Sequence, residues 1–391
     1  MNILFYHKCV IDPQLGGISK ITYTLANIFR TYNHNVWFLS ENENKKNDNT
    51  NIQFVLPNRN LITEENIVFF YNILKKYNID VVINQNALSA ESSSFVEICK
   101  SKFEFKLVSC FHNSILTPIY NFALQKEYIL KKKHLSFLFK LLKTRVLKSI
   151  LTRIYISKHR HHYLKAVESS DAVVSLCDGL RDELSIMIGK LCLEKHYVIP
   201  NCVLIPEESV FEKQKEVLWV GTFDNSIKRP DVMLDVWKKI SGRFSDWTLI
   251  FLGDGPSFVE MKSLAERYKI SNIKFEGRVD PENFYKKAKI LCLTSTHESF
   301  SLVTVEAKNH GVVPIIMNTF PAAKLIVENG VNGVLVDSYN IEKYTQNLIE
   351  LMSNTDKLKK MSDDCINSRN QYSPLIVYKL WSKLFSEFER L

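Results

Sequence analysis

The sequence predicts an α/β protein built from two doubly wound domains, each a parallel sheet covered by helices. Three observations carry this. Strand-like and helix-like runs alternate along the chain, the alternation restarts after residue 216, and 391 residues are too many for one ordinary core. In the first half the runs are ILFYHKCV, then ISKITYTLANIFRTY, then NVWFLS, followed by VVIN, KLVSCFH, AVVSLC and HYVIPN. Short apolar runs bounded by turn residues read as buried strands, and the long run with apolar spacing of three and four reads as a helix. A polar stretch, IPEESVFEKQKE at 205–216, then separates these from VLWVG, WTLIFLG, IKFEG, ILCLTS, VVPIIM and GVLV. The reading therefore places a first domain at 1–203 and a second at 204–372. A last helix at 373–391 has apolar residues at 375, 376, 380, 381, 384 and 385.

Composition excludes several classes. Hydrophobic residues are 46% and charged residues 24%, so the chain can bury ample surface and disorder is not expected. Eight cysteines (9, 99, 110, 177, 192, 202, 292, 365) are scattered mostly in apolar runs without a C-x-x-C pair, which reads as reduced core thiols in a cytosolic protein. The N-terminus, MNILFYHKCVIDP, has no basic leader and reads as a strand rather than a signal peptide. No run reaches the roughly 18 apolar residues that span a bilayer. The Asn/Lys-rich stretch at 42–51 reads as a loop.

The chemistry concentrates at residues 290–306, ILCLTSTHESFSLVTVE. Ile290 to Leu293 reads as a strand, and Leu302 onward as a helix with Gly311 as its stop. The turn between them, Ser299, Phe300 and Ser301, presents backbone N–H groups at the positive end of that helix, which suits a diphosphate. Glu306 lies about one turn into the helix, and helical side chains lean toward the N-terminus, so its carboxylate reaches back toward the same place. A carboxylate accepting two hydrogen bonds suits the vicinal hydroxyls of a ribose or sugar.

With Glu298 and Glu306 eight residues apart, this stretch resembles the E-x7-E signature of the retaining, nucleotide-sugar-dependent glycosyltransferases of sequence family four. The resemblance covers nearly the whole chain and is strongest over 217–337. It implies the GT-B architecture, two Rossmann-like domains facing across a cleft, with the terminal helix crossing back onto the first. It also implies roles: Glu306 on the donor ribose and Glu298 on the donor sugar. Gly16 and Gly17, between the first strand and helix, match the family's paired-glycine loop, where missing side chains let a phosphate approach backbone N–H groups. His112, at the end of a first-domain strand, matches the family's histidine facing the donor sugar. In VLWVGTFDNSIKRPD the family's diphosphate lysine is kept as Lys228. The arginine that usually follows the glycine is replaced by Thr222, so Arg229 substitutes or leaving-group stabilisation is weaker. Gly253, Asp254 and Gly255 form a turn beside the site, and Gly277, Arg278 and Val279 resemble the segment that meets the nucleobase. No Asp-x-Asp pair lies where a metal–sugar site would need it, so the resemblance implies metal-independent transfer without a cofactor, the donor being a UDP- or GDP-type sugar nucleotide.

Basicity is local. Residues 126–165 hold twelve Lys and Arg against Glu127 alone, a net +11 in a chain whose total is +9. Leu135, Leu138, Phe139, Leu142, Val146 and Ile150 share one helical face, with most bases opposite. Such a helix suits an anionic membrane surface or a polyprenyl-phosphate acceptor, or else a core-packed helix with a solvated face. No nucleic-acid module is visible. The expectation is a cytoplasmic enzyme, peripheral on the inner membrane face, moving a hexosyl or N-acetylhexosaminyl group to a lipid-linked or polysaccharide acceptor. Thr222 also admits a non-catalytic member of a glycan-assembly complex, and the scaffold admits a phosphorylase or epimerase.

Overall fold

The computed structural model describes residues 1–14, 16–42, 52–189, 194–208, 211–270 and 272–389. Cys192 and nearly all of the Asn/Lys-rich stretch lie outside them. The chain divides into two compact units, 1–115 with 154–202 and 374–391, and 116–153 with 203–373.

The first unit is a seven-stranded parallel sheet: β1 (Asn2–Cys9), β2 (Asn35–Asn42), β3 (Gln53–Val55), β4 (Val81–Asn84), β5 (Lys106–Phe111), β6 (Ala172–Ser175) and β7 (His196–Val198), in the order 3-2-1-4-5-6-7. The second is a six-stranded parallel sheet: β8 (Glu216–Val220), β9 (Thr248–Leu252), β10 (Ile273–Phe275), β11 (Ile290–Leu293), β12 (Val313–Asn318) and β13 (Val334–Asp337), in the order 10-9-8-11-12-13. Both are doubly wound Rossmann-like sheets whose winding reverses beside the first strand. Helices cover both faces of such sheets, so the central strands β4 (VVIN) and β11 (ILCL) are buried at every position. Helix starts are fixed by side chains: Thr63, Ser89, Asn340 and Asn354 each accept a first-turn backbone N–H.

The terminal helix, Pro374–Phe388, packs within the first unit against the helix Gly17–Thr31. Its buried stripe is Val377, Trp381, Leu384 and Phe385, with Trp381 and Phe385 meeting Phe29 edge-on at 5.6 and 5.4 Å. The stripe departs from the one read in the sequence at its start. Leu375 and Ile376 belong to the first turn after Pro374 and are exposed.

The second difference concerns residues 116–153, which the sequence boundary at 203 had assigned to the first domain; they are part of the second unit. Tyr128 packs on that unit's core, and Lys132 pairs with Glu260 at 2.7 Å. The basic stretch is also not one helix. It forms Phe122–Lys132, Ser136–Leu142 and Arg145–Glu168, interrupted where His134 takes a left-handed backbone (φ 56°) and again at Lys143 and Thr144. From Gln125 to His162 no residue is buried; the contact with the core comes from Ala123, Leu124 and the half-buried Tyr128 at the segment's start. No helix among the described residues is long and apolar enough to cross a membrane.

Candidate functional site

In the second sheet β8 and β11 lie side by side where the winding reverses, and the loops leaving their carboxyl ends form the place where open α/β sheets bind ligands. One loop runs from Gly221 to Arg229, the other from Thr294 to Ser301. They are sewn together. The Thr296 N–H donates to Ile227 O at 2.7 Å and its hydroxyl to Ser226 O at 3.0 Å. The Thr294 hydroxyl accepts from Trp219 Nε1 at 3.0 Å and faces the carbonyls of Lys228 and Arg229 at 3.0 and 2.8 Å. Within the first loop, Asp224 Oδ1 accepts the N–H groups of Ser226 and Ile227 at 2.6 and 3.2 Å. Both loops are thereby held rigid where chemistry would need them fixed.

Lys228 and Glu298 meet across this seam. Lys228 Nζ donates to Glu298 Oε1 at 2.6 Å, and Ser295 Oγ donates to the same oxygen at 2.7 Å. The Glu298 side chain is only 10% exposed against 27% for Lys228, so the ion pair is weakly screened. Beyond it Ser301 enters the helix Leu302–Asn309 in the left-handed region (φ 55°), with its hydroxyl 2.8 Å from that of Thr304. A non-glycine residue held there stores of order 1–3 kcal/mol, and the surrounding packing must hold it. Phe300 supplies that packing: its ring is buried edge-on to Tyr372 at 5.1 Å, so only its backbone can face a ligand. The first-turn N–H groups of the helix point out of its start beside Ser299, Phe300 and Ser301. On the same helix, Glu306 Oε2 accepts the Tyr285 hydroxyl at 3.3 Å. Burial, reinforced by Glu306, pushes the Tyr285 hydroxyl far above the ordinary tyrosine range, so it stays a donor.

Three glycines end adjacent strands at this edge. Gly221 N donates to Leu252 O at 3.0 Å and Gly253 N to Gly277 O at 2.7 Å. Gly253 has φ 131°, and a Cβ there would lie 1.9 Å from Gly221 O, so only glycine allows the backbones this close. Thr222 is exposed after Gly221, and Arg278 is exposed after Gly277.

Arg229 does not stand in for the missing arginine. Its backbone is left-handed (φ 57°), and its guanidinium is turned inward and fully buried. Nε and Nη2 donate to Asp231 at 2.9 Å each, and Nη1 donates to Leu124 O at 2.9 Å and to Glu127 Oε2 at 3.1 Å. Burial pulls its pKa down, but Asp231, Tyr339 and Glu127 more than offset this and keep it charged. Arg229 is a clamp, not a phosphate ligand.

Gly16, Gly17 and His112 belong to the first unit, where their own switch point lies between β1 and β4. Gly16 (φ 131°) precedes the helix Gly17–Thr31, whose first turn carries no acidic residue. His112 follows β5 and is buried, with its Nε2 bonded to Gln85 Oε1. Burial, and then His7, push its pKa down to about 4, so the imidazole is neutral at neutral pH. Gln85 Nε2 is a buried donor without a partner among the described residues. The structure thus brings Lys228, Glu298, Glu306, Ser299, Phe300 and Ser301 to the two loops and helix of one sheet edge in the second unit. Thr222 and Arg278 stand exposed at the same edge, Arg229 is turned away from it, and Gly16, Gly17 and His112 lie at the corresponding edge of the first unit.

Sequence reasoning missed Ser295, Asp224, Tyr285 and the Glu127–Arg229–Asp231 cluster. Only Arg229 and Asp231, two apart around Pro230 at a helix start, left a local signal.

Comparison with known proteins places these features. An uncharacterised glycosyltransferase of Haemophilus influenzae is 32% identical over 166 residues, 42% of this chain and 47% of that protein. An amylovoran biosynthesis glycosyltransferase of Erwinia amylovora is 23% identical over 232 residues, 54% of this chain and 64% of that protein. The chain thus spans about half to just under two thirds of the length of these relatives. The solved structure of the Anabaena protein HepE, in complex with UDP and glucose, superposes with a TM-score of 0.74 at 16% identity, covering 99% of this chain and 100% of that one. It shares the fold, which is GT-B. Residues 204–367, the stretch that carries Lys228, Glu298 and Glu306, match the family model described as glycosyl transferases group 1.

Proposed function

We propose that this chain is a retaining glycosyltransferase that moves a hexosyl or N-acetylhexosaminyl group from a UDP- or GDP-sugar to a lipid-linked or polysaccharide acceptor. The observation that carries the reading is the Lys228–Glu298 pair at the switch point of a Rossmann-like sheet, with Glu306 on the helix that starts beside it. The match to the group 1 family over this unit supports it, as do a relative named for polysaccharide biosynthesis and a structural neighbour holding UDP and glucose.

In this reading Glu306 holds the ribose hydroxyls, and the backbone past Gly277, with Arg278, meets the base. Lys228 and the N–H groups at Ser299, Phe300 and Ser301 hold the diphosphate, with Thr222 beside it. Glu298 contacts the sugar, and in the first unit the resemblance gives His112 a sugar-facing role and lets Gly16 and Gly17 admit a phosphate or the acceptor. The bond from the anomeric carbon to the phosphate oxygen breaks, and the acceptor oxygen forms its bond on the same face. The acceptor's proton passes to the leaving phosphate oxygen. Charge grows on that phosphate as the bond breaks, so a lysine fixed at 2.6 Å from Glu298 on a rigid loop stabilises the transition state more than the ground state.

Residues 126–165 supply the location, an anionic membrane surface at the cytoplasmic face. Val146, Phe137 and Leu141 are 71%, 68% and 58% exposed amid twelve bases. Apolar side chains exposed in one stretch alongside cations suit the headgroup boundary of an anionic bilayer.

The test is isothermal titration of UDP and GDP. Glu306→Ala should lose about 1.5–3 kcal/mol of nucleotide binding while its circular dichroism is unchanged. Equal affinity in the folded variant overturns the assignment. Thr222 favours a second reading, a nucleotide-binding subunit without turnover; nucleotide binding with no release of UDP from UDP-sugars, with or without acceptor, would establish that one instead.

A further inference from the structure

Arg229 is costly where it stands. A guanidinium has been taken out of water, and its backbone holds a left-handed conformation that a side chain disfavours. The residue immediately before it is Lys228. Its own donors are divided between Asp231, at the start of the helix Pro230–Ile240, and the helix Phe122–Lys132, which it grips at Leu124 O and Glu127. A second grip lies one residue before that helix. Asn121 Nδ2 donates to Thr296 O at 2.6 Å and to Thr319 O at 2.9 Å, and Thr296 is the residue that sews the two site loops together. The inner end of the segment 116–153 is therefore bonded to both loops of the candidate site. Its outer end holds Ile129, Phe137, Leu141 and Val146 in solvent.

We propose that Arg229 is a positioning residue that couples binding of an anionic lipid surface by segment 116–153 to nucleotide binding at Lys228 and Glu298. The proposal rests on the donor-site reading above. The occupant follows from charge: the segment between Lys126 and Arg153 carries nine cations and the single carboxylate Glu127, which bridges the buried Arg229 and the exposed Lys131. Seating the helix Phe122–Lys132 on a surface fixes Leu124 O and Glu127, which fixes the guanidinium and so the backbone next to Lys228. A lost Arg229–Glu127 contact would leave each ligand able to bind but unable to sense the other.

Linkage makes this measurable, because any effect of one ligand on the other's affinity must be returned by the same factor. UDP affinity is measured by titration calorimetry with and without vesicles of phosphatidylcholine containing phosphatidylglycerol, and vesicle affinity by co-sedimentation with and without UDP. For the parent chain both factors should agree at about 5-fold or more. In Glu127→Ala they should collapse to one while UDP and vesicles each still bind. Glu127→Gln, which keeps an acceptor oxygen and drops the charge, should fall between and covers the case in which the alanine variant does not fold. A parent factor of one, or a factor that survives both substitutions, overturns the coupling. Absence of vesicle binding also overturns it, leaving the donor site intact, whereas absence of UDP binding with vesicles bound overturns the donor-site reading itself.

Discussion

The two sheets wind alike and differ in what they place at the reversal. At the first, the pair that follows β5 and β4 is uncharged, His112, held neutral by burial, on Gln85, while the buried carboxylate of Glu41 is turned to Ser92 and Asn86. At the second, between β8 and β11, the pair is ionic: Lys228 on Glu298, with Arg229 buried behind. Topology selects the place, and the side chains select the ligand. A neutral donor–acceptor pair suits hydroxyls of a sugar or acceptor, whereas a lysine beside a helix start suits a phosphate that gains charge during reaction.

The comparison breaks first at Lys228. If the ionic edge stabilises the leaving diphosphate, Lys228→Ala should slow turnover by about 100-fold or more, with kcat falling further than KM rises. The measurement is steady-state release of UDP from a UDP-sugar. A change confined to KM would mean the lysine only anchors substrate, and an unchanged rate would place the phosphate elsewhere.

The neutral edge should reveal itself through acid. His112 and His196, both in the first unit, are pushed down to about 4, mainly by burial, from an ordinary value near 6.5. Between those values the unfolded chain binds protons that the folded unit refuses, so stability is complete above about pH 6.5 and declines as pH falls toward 4. Each group can withdraw up to about 3 kcal/mol across that window. Hydrogen exchange followed by mass spectrometry at pH 7, 6 and 5, corrected for intrinsic rates, should show protection in β4, β5 and β6 falling. His112→Gln should reduce the slope. Protection that is independent of pH in this unit would mean His112 is solvated.

Much of the architecture was legible because both sheets are parallel and buried, so strands such as VVIN and ILCL stand out as unbroken apolar runs. The carboxylates were legible because Glu298 and Glu306 lie on one local unit of strand, turn and helix, where eight residues of spacing fix their relation. What could not be read depends on contacts far apart in sequence. Arg229 and Glu127 are 102 residues apart, and the one local hint, Asp231 two residues after Arg229, does not say that the guanidinium folds inward. The break at His134 rests on one left-handed residue that carries no glycine to announce it. In the terminal helix Trp381, Leu384 and Phe385 are buried as read, and the reading departs only at its start, where Leu375 and Ile376 are apolar and yet belong to a first turn that faces solvent.

The smallest effect would sharpen the comparison most. Thr222 is exposed directly after Gly221, at the place where the resembled enzymes carry a second phosphate cation, and Arg229 does not replace it. On the proposed donor-site reading the ionic edge is one charge short. Thr222→Arg adds a guanidinium without disturbing a buried contact, so stability should stay within about 0.5 kcal/mol of the parent. A charge-assisted bond to phosphate contributes about 1.5–3 kcal/mol, less the rotamer entropy an exposed arginine loses, which leaves a gain in UDP affinity of roughly 3- to 10-fold. Because the new cation faces the phosphates, the gain should be largest for UDP, smaller for UMP and absent for uridine, and it should shrink with added salt. Equal gains for all three ligands would mean the arginine touches the nucleoside. Weaker binding of UDP alone would mean that the loop after Gly221 turns away from the diphosphate, and that Lys228 acts there without a neighbour.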